Sequence, residues 1–298
     1  MTEPDRATHV IAVANMKGGV AKTTNCISLC AALAELGRRS LIIDLDMTAG
    51  ATKVLGAPTS GWLSTYELLT HVEEAPGCVI TDEDEEVKLP KGIHLIPSSR
   101  KLNELDQFLA TNQWVVAQDI LVEPIRQLRG RYDYIFLDTP PQITKTTVPA
   151  YKAADFVLLS ALPTHLSTEG LAEALQDVVS ARRYGNGKLQ IIGVIVSAVR
   201  RPLTRLATQL VEYVKTKVVT EDGVALKFAT DVSLSVAIQD AEKHHQTIFQ
   251  FAPDSAPAEQ YRAIARELEA RIRSIATHGK LIPNVAATTE EAGEVVNA

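Results

Sequence analysis

The fold is decided by one stretch near the start of the chain, Asn15-Met16-Lys17-Gly18-Gly19-Val20-Ala21-Lys22-Thr23-Thr24. An apolar, strand-like run precedes this stretch, and a helix-like run over 23–36 overlaps its end. The order of strand, glycine-rich turn and helix predicts a phosphate site, because backbone N–H groups and the positive end of the helix converge on an anion. The predicted nucleotide-binding residues are Lys17, Gly18, Gly19, Val20, Ala21, Lys22, Thr23 and Thr24.

Two side chains of this stretch carry specific predictions. Lys22 is placed to reach the β- and γ-phosphates, and the Thr23 hydroxyl is placed to bind Mg²⁺. The standard spacing G-x-x-x-x-G-K-[ST] has a glycine where this chain has Ala21, and an extra lysine, Lys17, precedes the glycine pair. We predict ATP and Mg²⁺ as cofactors; the alternative is a glycine-rich turn that binds no ligand.

Two further apolar runs end in carboxylates. Asp138 ends the run 134–138, which is the place for a carboxylate that binds Mg²⁺ directly or through water. Asp44 and Asp46 end the run 41–46, and side chains two residues apart point to the same side of a strand. The alternative for this second pair is a structural role, in which the carboxylates at the strand end lie against a neighbouring lysine.

Composition limits the class of protein. The chain has 298 residues, of which 46% are hydrophobic, which is ordinary for a globular protein with a sizeable core. We expect no membrane-spanning helix and no secretory signal, and a cytoplasmic location. Cys26 and Cys30, four apart on the predicted helix, together with Cys78, indicate a reduced compartment and buried small side chains rather than a metal site.

The net charge of −6 is unevenly distributed. An acidic loop at 82–86 and an acidic segment at 283–298 together carry more negative charge than the whole chain. The remainder is therefore slightly positive, which permits a basic surface without proving one.

Short apolar runs alternate with longer helical patterns along the chain. The runs are rich in Ile, Val and Leu without alternation, which is typical of parallel strands buried on both faces. The predicted strands are 9–14, 40–45, 93–97, 134–138, 156–160, 190–197 and 224–228. The predicted helices are 23–36, 114–128, 167–184, 203–217, 234–243 and 257–276.

This alternation predicts an α/β fold, a doubly wound and mostly parallel sheet with helices on both faces. The ligand site of such a sheet lies at the carboxyl ends of the strands. We expect one P-loop ATPase domain over 1–278 and a disordered acidic tail over 279–298.

Two lysines around Gly18-Gly19, followed by Thr23-Thr24, resemble the deviant Walker A motif K-G-G-x-x-K-[ST]-T of the ParA/MinD ATPases. Similarities continue at residues 162–171, 193–197, 232–237, 251–255 and 261–268. The resemblance covers roughly 8–275, and among the branches of this family it favours the ParA/Soj branch that partitions plasmids and chromosomes.

The resemblance implies roles for individual residues. Lys17 would be the signature lysine, which reaches the ATP phosphates held by the partner subunit of a homodimer. The pair Asp44 and Asp46 is similar to the family's D-x-D motif, whose first aspartate orients the attacking water, so that role falls to Asp44. The expected catalytic residues are Lys17, Lys22 and Asp44, with slow intrinsic turnover.

The resemblance also implies partners. The ATP dimer would bind nonspecific DNA on the nucleoid, and a ParB-like centromere-binding adaptor would stimulate hydrolysis. The segment 228–234, where family members carry basic residues, holds Asp231 and no arginine. The expected DNA contacts are therefore Arg200, Arg201 and Arg205, with a solvated helix face as the alternative.

Other functions stay open at this point. A ParA-like ATPase could position a protein assembly instead of DNA. A MinD-like membrane regulator would need a basic amphipathic segment, which 284–298 does not provide. A nitrogenase-iron-protein-like reductase would need cysteines in strand-end loops, and a metabolic ligase would need a substrate pocket.

Overall fold

The computed structural model describes residues 7–15, 17–164 and 167–281. Within them the chain forms a six-stranded sheet in the order β3-β2-β4-β1-β5-β6, with every neighbouring pair parallel. The doubly wound α/β class is confirmed. The strands are β1 (His9–Ala14), β2 (Ser40–Asp44), β3 (Ile93–Ile96), β4 (Tyr134–Asp138), β5 (Phe156–Ala161) and β6 (Gln190–Val196).

Helices occupy most of the connections between the strands. In chain order they are α1 (Lys22–Glu35), α2 (Gly50–Val54), α3 (Thr65–Thr70), α4 (Leu105–Thr111), α5 (Val122–Leu128), α6 (Thr147–Ala153), α7 (Ser167–Tyr184), α8 (Arg205–Lys217), α9 (Val236–Lys243), α10 (Ile248–Phe251) and α11 (Ala256–His278). Short 3-10 helices cover Val72–Cys78, Arg100–Glu104 and Ala117–Asp119.

The sheet separates two hydrophobic cores, and alternate residues of each strand enter different cores. In β1, Val10 and Ala12 face the core that includes residues of α3, α5, α6, α7 and α8. Ile11 and Val13 face the core built with α1 and α11. Because both faces are covered, the strands are mostly apolar, without alternation of apolar and polar residues, as the sequence pattern indicates.

The prediction of a seventh strand at 224–228 is wrong. This segment lies beside β6 through a single isolated bridge among the described residues, between Val194 and Lys227, and the Val194 N–H donates to the Leu226 carbonyl at 2.8 Å. The guanidinium of Arg271, 5% exposed, also donates to the Leu226 carbonyl at 2.9 Å. A buried side chain therefore supplies hydrogen bonds where a further strand would continue the sheet.

The predicted helix 114–128 is also too long. The α-helix begins at Val122, and Trp114 is 98% exposed. Pro124 explains the late start, because proline lacks an N–H and its ring clashes with the preceding turn, so it is tolerated in the first turn of a helix. The predicted helices 203–217 and 234–243 likewise begin late, after Thr204 and Ser235, whose side chains cap α8 and α9.

The parallel arrangement brings the carboxyl ends of β1, β2 and β4 together. Asp44 pairs in register with Asp138 across β2 and β4, and the glycine-rich turn leaves the end of β1 beside them. α11 ends at Gly279, which adopts a left-handed conformation with φ 73°. Of the expected acidic tail, residues 282–298 lie outside the described residues.

Candidate nucleotide and metal site

The glycine-rich turn between β1 and α1 has the geometry of a phosphate loop. Gly19 (φ 70°) and Ala21 (φ 63°) both adopt left-handed backbone conformations. Ala21 thus holds a conformation that glycine adopts without strain, at a cost of about 1–2 kcal/mol. The loop is anchored below by Asn15, whose side-chain oxygen accepts the Lys17 N–H at 3.0 Å and whose amide donates to the Ser160 carbonyl.

Lys22 lies across this loop. Its side chain is buried, and its Nζ donates to the Lys17 carbonyl at 3.1 Å. Burial lowers the pKa of Lys22, while the carboxylates of Asp138 and Asp46 oppose that shift. The ammonium group is therefore already placed where phosphate oxygens would meet the N–H groups of the loop.

Thr23 and Asp138 form a pair of oxygen donors beside the loop. The Thr23 hydroxyl donates to Asp138 Oδ2 at 2.7 Å. Asp138 is 1% exposed, and its Oδ1 is buried with no hydrogen-bond partner among the described residues. Burial, and then the adjacent charge of Asp44, raise the pKa of Asp138. A hydroxyl and a carboxylate oxygen without a donor are suitable ligands for Mg²⁺.

A cleft of about 590 Å³ opens above these residues, a volume typical of small-molecule sites. One wall is the phosphate loop, and the facing wall is the segment 232–242, which the sequence did not assign to the site. The lining residues on that far side include Val232, Ser233, Leu234, Ser235, Ile238, Gln239 and Glu242. A larger cleft of about 1000 Å³ lies at the amino ends of β2 and β3, away from the loop.

Asp44 is not in this cleft, which contradicts its predicted contact with water. It is 0% exposed, and its Oδ2 accepts the N–H and the hydroxyl of Thr52 at 2.9 and 2.7 Å. Asp46, in contrast, is partly exposed and lines the cleft. In a strand both side chains would share a face, but β2 ends at Asp44, so Asp46 lies beyond the strand at the start of a turn.

Lys17 lies outside the cleft. Its methylene groups pack against α7, where a Cβ added to Gly170 would be 3.3 Å from them. Lys17 is only partly buried, and it is not among the described residues that line the cleft. The two lysines of the motif therefore point in different directions, Lys22 into the chain's own site and Lys17 away from it.

A buried polar cluster beneath the loop was missed by sequence reasoning. Asn25, 0% exposed, accepts hydrogen bonds from Ser197 Oγ at 3.0 Å and Tyr261 Oη at 2.7 Å, and donates to Ser160 Oγ at 2.9 Å. These contacts join α1 to β5, the end of β6 and α11. The available signal was a lone asparagine in an otherwise apolar stretch of the predicted helix.

The predicted DNA contacts lie apart from this site. Arg200, Arg201 and Arg205 are all exposed, on the loop after β6 and the first residue of α8. Arg201 lies 3.8 Å from Asp231, which also pairs at 2.5 Å with the buried Lys227. The acidic residue of the segment 228–234 is therefore already paired within the chain.

The fold and the site together define the class: a P-loop nucleotide-binding protein whose phosphate loop lies at the carboxyl edge of a parallel sheet. Among the described residues no helix is both long and apolar enough to cross a membrane.

Comparisons with known proteins place the chain within that class. A family model described as an AAA domain matches residues 8–191. The chromosome-partitioning ATPase Soj of Thermus thermophilus is 32% identical over 263 residues, which cover 88% of this chain and 96% of Soj. The chromosome partitioning protein ParA of Caulobacter vibrioides is 30% identical over 268 residues, covering 89% of this chain and 95% of ParA.

The solved structure of cobyrinic acid a,c-diamide synthase from Mycobacterium smegmatis, with bound ATP analogue and magnesium, has a TM-score of 0.74. It is 24% identical and covers 93% of this chain and 98% of its own, which shows a shared fold. The chain belongs to the ParA/Soj family of partitioning and positioning ATPases. The predicted ATPase class is confirmed, with ATP and Mg²⁺ as cofactors.

Proposed function

We propose that this chain is a DNA-partition ATPase that dimerises around ATP, binds nonspecific DNA as the dimer, and hydrolyses ATP when a ParB-like adaptor stimulates it. The observation that carries the proposal is the divergence of its two loop lysines. Lys22 lies over the chain's own phosphate loop, while Lys17 lies outside the cleft against Gly170. A lysine that packs away from its own cleft supports a role towards a nucleotide held by a second subunit.

Hydrolysis follows from the remaining residues. Lys22 and the loop N–H groups bind the phosphates, and Thr23 and Asp138 hold Mg²⁺, which neutralises phosphate charge when bound. We assign the water-positioning role to Asp46 instead of Asp44, because Asp46 lines the cleft and Asp44 is enclosed by hydrogen bonds. Lys17 of each subunit adds positive charge to the phosphates bound by its partner. Alignment and charge neutralisation are the main requirements of phosphoryl transfer.

The DNA surface in this proposal is formed by Arg200, Arg201 and Arg205. These side chains are exposed, and the exposed Lys215 and Lys217 follow on α8. Each arginine that neutralises a phosphate releases counterions, which makes nonspecific binding strong and salt-dependent. Dimerisation doubles the number of such contacts, so ATP would control residence on the nucleoid.

A second candidate function is the positioning of a protein assembly by the same ATP cycle. One observation favours it: Lys227, the basic residue next to segment 228–234, is buried against Asp231 and cannot face DNA. The two candidates share every residue of the nucleotide site and differ in what the ATP dimer binds.

The deciding experiment is a titration of nonspecific duplex DNA with ATP, with ADP and without nucleotide, at two salt concentrations. We expect binding with ATP only, and a steep loss at the higher salt. Arg200→Glu with Arg205→Glu should abolish it, whereas Arg182→Glu with Arg183→Glu, two exposed arginines at the end of α7, is the matched control. A dimer that forms with ATP but binds no DNA would favour the protein cargo.

Lys17→Ala separates the dimer from the nucleotide site in the same experiment. We expect this variant to bind ATP as a monomer while losing both the ATP-dependent dimer and DNA binding. Lys22→Ala should lose ATP binding itself, since its ammonium lies over the loop. A Lys17→Ala chain that dimerises normally with ATP, as measured by light scattering, would remove Lys17 from the proposed role.

A further inference from the structure

The hydroxyl of Thr52 joins three parts of the carboxyl edge. Thr52 is 0% exposed in α2, and its Oγ1 donates to Asp44 Oδ2 at 2.7 Å at the end of β2. The same Oγ1 accepts the N–H of Ser98 at 2.8 Å, just after β3. One hydroxyl therefore fixes the relative position of two strand ends and a helix, with both its donor and an acceptor position in use.

The second oxygen of Asp44 continues the connection to the cleft. Asp44 Oδ1 accepts the N–H of Asp46 at 3.2 Å. The N–H of Thr48 donates to Asp46 Oδ1 at 2.8 Å and so orients the Asp46 carboxylate. The Asp46 carbonyl accepts the N–H of Ala49 at 2.8 Å. The orientation of Asp46 thus depends on a backbone turn that is held from below by Asp44.

The same helix also touches the metal side of the site. A Cβ added to Gly50, the first residue of α2, would lie 3.3 Å from Thr23 Oγ1. Since α2 contacts Thr23 at one end and Asp44 through Thr52, a shift of this helix would move both the Asp46 turn and the surroundings of the Mg²⁺ ligand Thr23.

We propose that Thr52 is a positioning residue for ATP hydrolysis: its hydroxyl fixes the Asp44 carboxylate, and Asp44 fixes the turn that presents Asp46 to the cleft. Thr52 is buried and is not among the described residues that line the cleft. The inference rests on the proposed role of Asp46. Small displacements of a group that aligns a nucleophile reduce turnover strongly, by up to about a hundredfold for 1 Å.

The test is Thr52→Val, which keeps the shape of the side chain and removes the hydroxyl. We expect kcat for ATP to fall by about tenfold or more, while the affinity for ATP changes by no more than about twofold. The lifetime of any ATP dimer should lengthen by the same factor as kcat falls. Thr52→Ser, which restores the hydroxyl and removes only a methyl group, should recover most of the turnover.

Thr65→Val is the matched control. Thr65 is also 0% exposed and its hydroxyl also contacts Asp44, but at the main-chain carbonyl, 2.7 Å away. It should lower stability as Thr52→Val does, with kcat changed by about twofold or less. Equal losses of kcat in the two valine variants, without recovery in Thr52→Ser, would show a merely structural effect and overturn the proposal.

Asp46→Ala distinguishes this inference from the function on which it rests. If Asp46→Ala turns over ATP normally, Asp46 has no role in hydrolysis and both proposals fail. If Asp46→Ala is inactive while a folded Thr52→Val keeps the wild-type kcat, the role of Asp46 stands and only the positioning by Thr52 fails. Thr52→Ala provides the same comparison should the valine variant not fold.

Discussion

Asp44 and Asp138 end neighbouring strands in register, and both are almost completely buried, at 0% and 1% exposure. Their hydrogen bonding differs sharply. Among the described residues, Asp44 accepts three hydrogen bonds, two from Thr52 and one from the Asp46 N–H, while Asp138 accepts one from Thr23 and its Oδ1 has no partner. The two carboxylates are alike in the sequence and different in what they can still bind.

The difference in hydrogen bonding favours one of the two carboxylates as the proposed metal ligand. A buried carboxylate with an unpaired oxygen is unfavourable by several kcal/mol unless it gains a proton or a cation. A carboxylate enclosed by donors is already compensated and holds the backbone in place. Burial raises the pKa of both groups, but only for Asp44 do hydrogen bonds from Thr52 and Asp46 supply the main opposing effects. This contrast supports our proposal that Asp138 is the metal ligand and that Asp44 has a structural role.

The largest expected effect comes from Asp138→Asn. The amide oxygen can still accept the Thr23 hydroxyl, but an NH₂ group then stands where Mg²⁺ needs an anionic oxygen. We expect Mg²⁺-dependent ATP turnover to fall by about a hundredfold or more, comparable to the removal of other transition-state charge stabilisers. Steady-state ATPase measurements across a Mg²⁺ series check this, with far-UV circular dichroism as the folding control.

Asp138→Asn should also leave the Mg²⁺-free protein at least as stable as the wild type, because it removes a buried charge next to Asp44. Turnover within about threefold of wild type, or a large loss of Mg²⁺-free stability, would contradict the contrast between the two carboxylates.

For Asp44→Asn we expect a different main effect, a loss of folding stability. The Thr52 N–H and the Asp46 N–H approach different oxygens of Asp44. In either orientation of the amide, one of these N–H groups faces an NH₂ group and loses its acceptor. A buried donor left unpaired costs about 1–3 kcal/mol. Chemical denaturation without Mg²⁺ measures this, and an unchanged free energy of unfolding would show that Asp44 is not a structural group.

Most of this difference between the strand-end carboxylates could not be predicted from the sequence. The positions of the phosphate loop and of Asp138 at strand ends were predictable because each is a local pattern: an apolar run followed within a few residues by a glycine-rich turn or a carboxylate. Asp44 and Asp46 offered the same local pattern, and the feature that separates them is Thr52. That residue lies in a five-residue helix, too short to show a period.

The wrong seventh strand has a similar cause. Residues 224–228 are apolar except for Lys227 and follow a turn, as a strand would. Their carbonyls at Leu226 and Lys227 are hydrogen-bonded by Arg271, more than forty residues later, which is itself held by Glu267. Gly193 makes room for this arrangement, because a Cβ there would lie 2.4 Å from the ring of Phe228. Contacts between distant segments of this kind leave no periodic signal in the sequence.

The smallest expected effect is a Mg²⁺-dependent stabilisation that distinguishes the carboxylates without any nucleotide. An ion that binds the folded state stabilises it by RT ln(1 + [Mg²⁺]/Kd), on the order of 1 kcal/mol when the ion exceeds its Kd about fivefold. We expect this gain in the wild type, where Mg²⁺ meets the unpaired oxygen of Asp138. Asp44→Asn should start from lower stability and show a similar gain, while Asp138→Asn should show none. Thermal unfolding of the three proteins with and without Mg²⁺ provides the measurement, and Ca²⁺ at the same ionic strength tests for selectivity. A gain that persists in Asp138→Asn would place the ion elsewhere and remove the physical basis for contrasting the two strand ends.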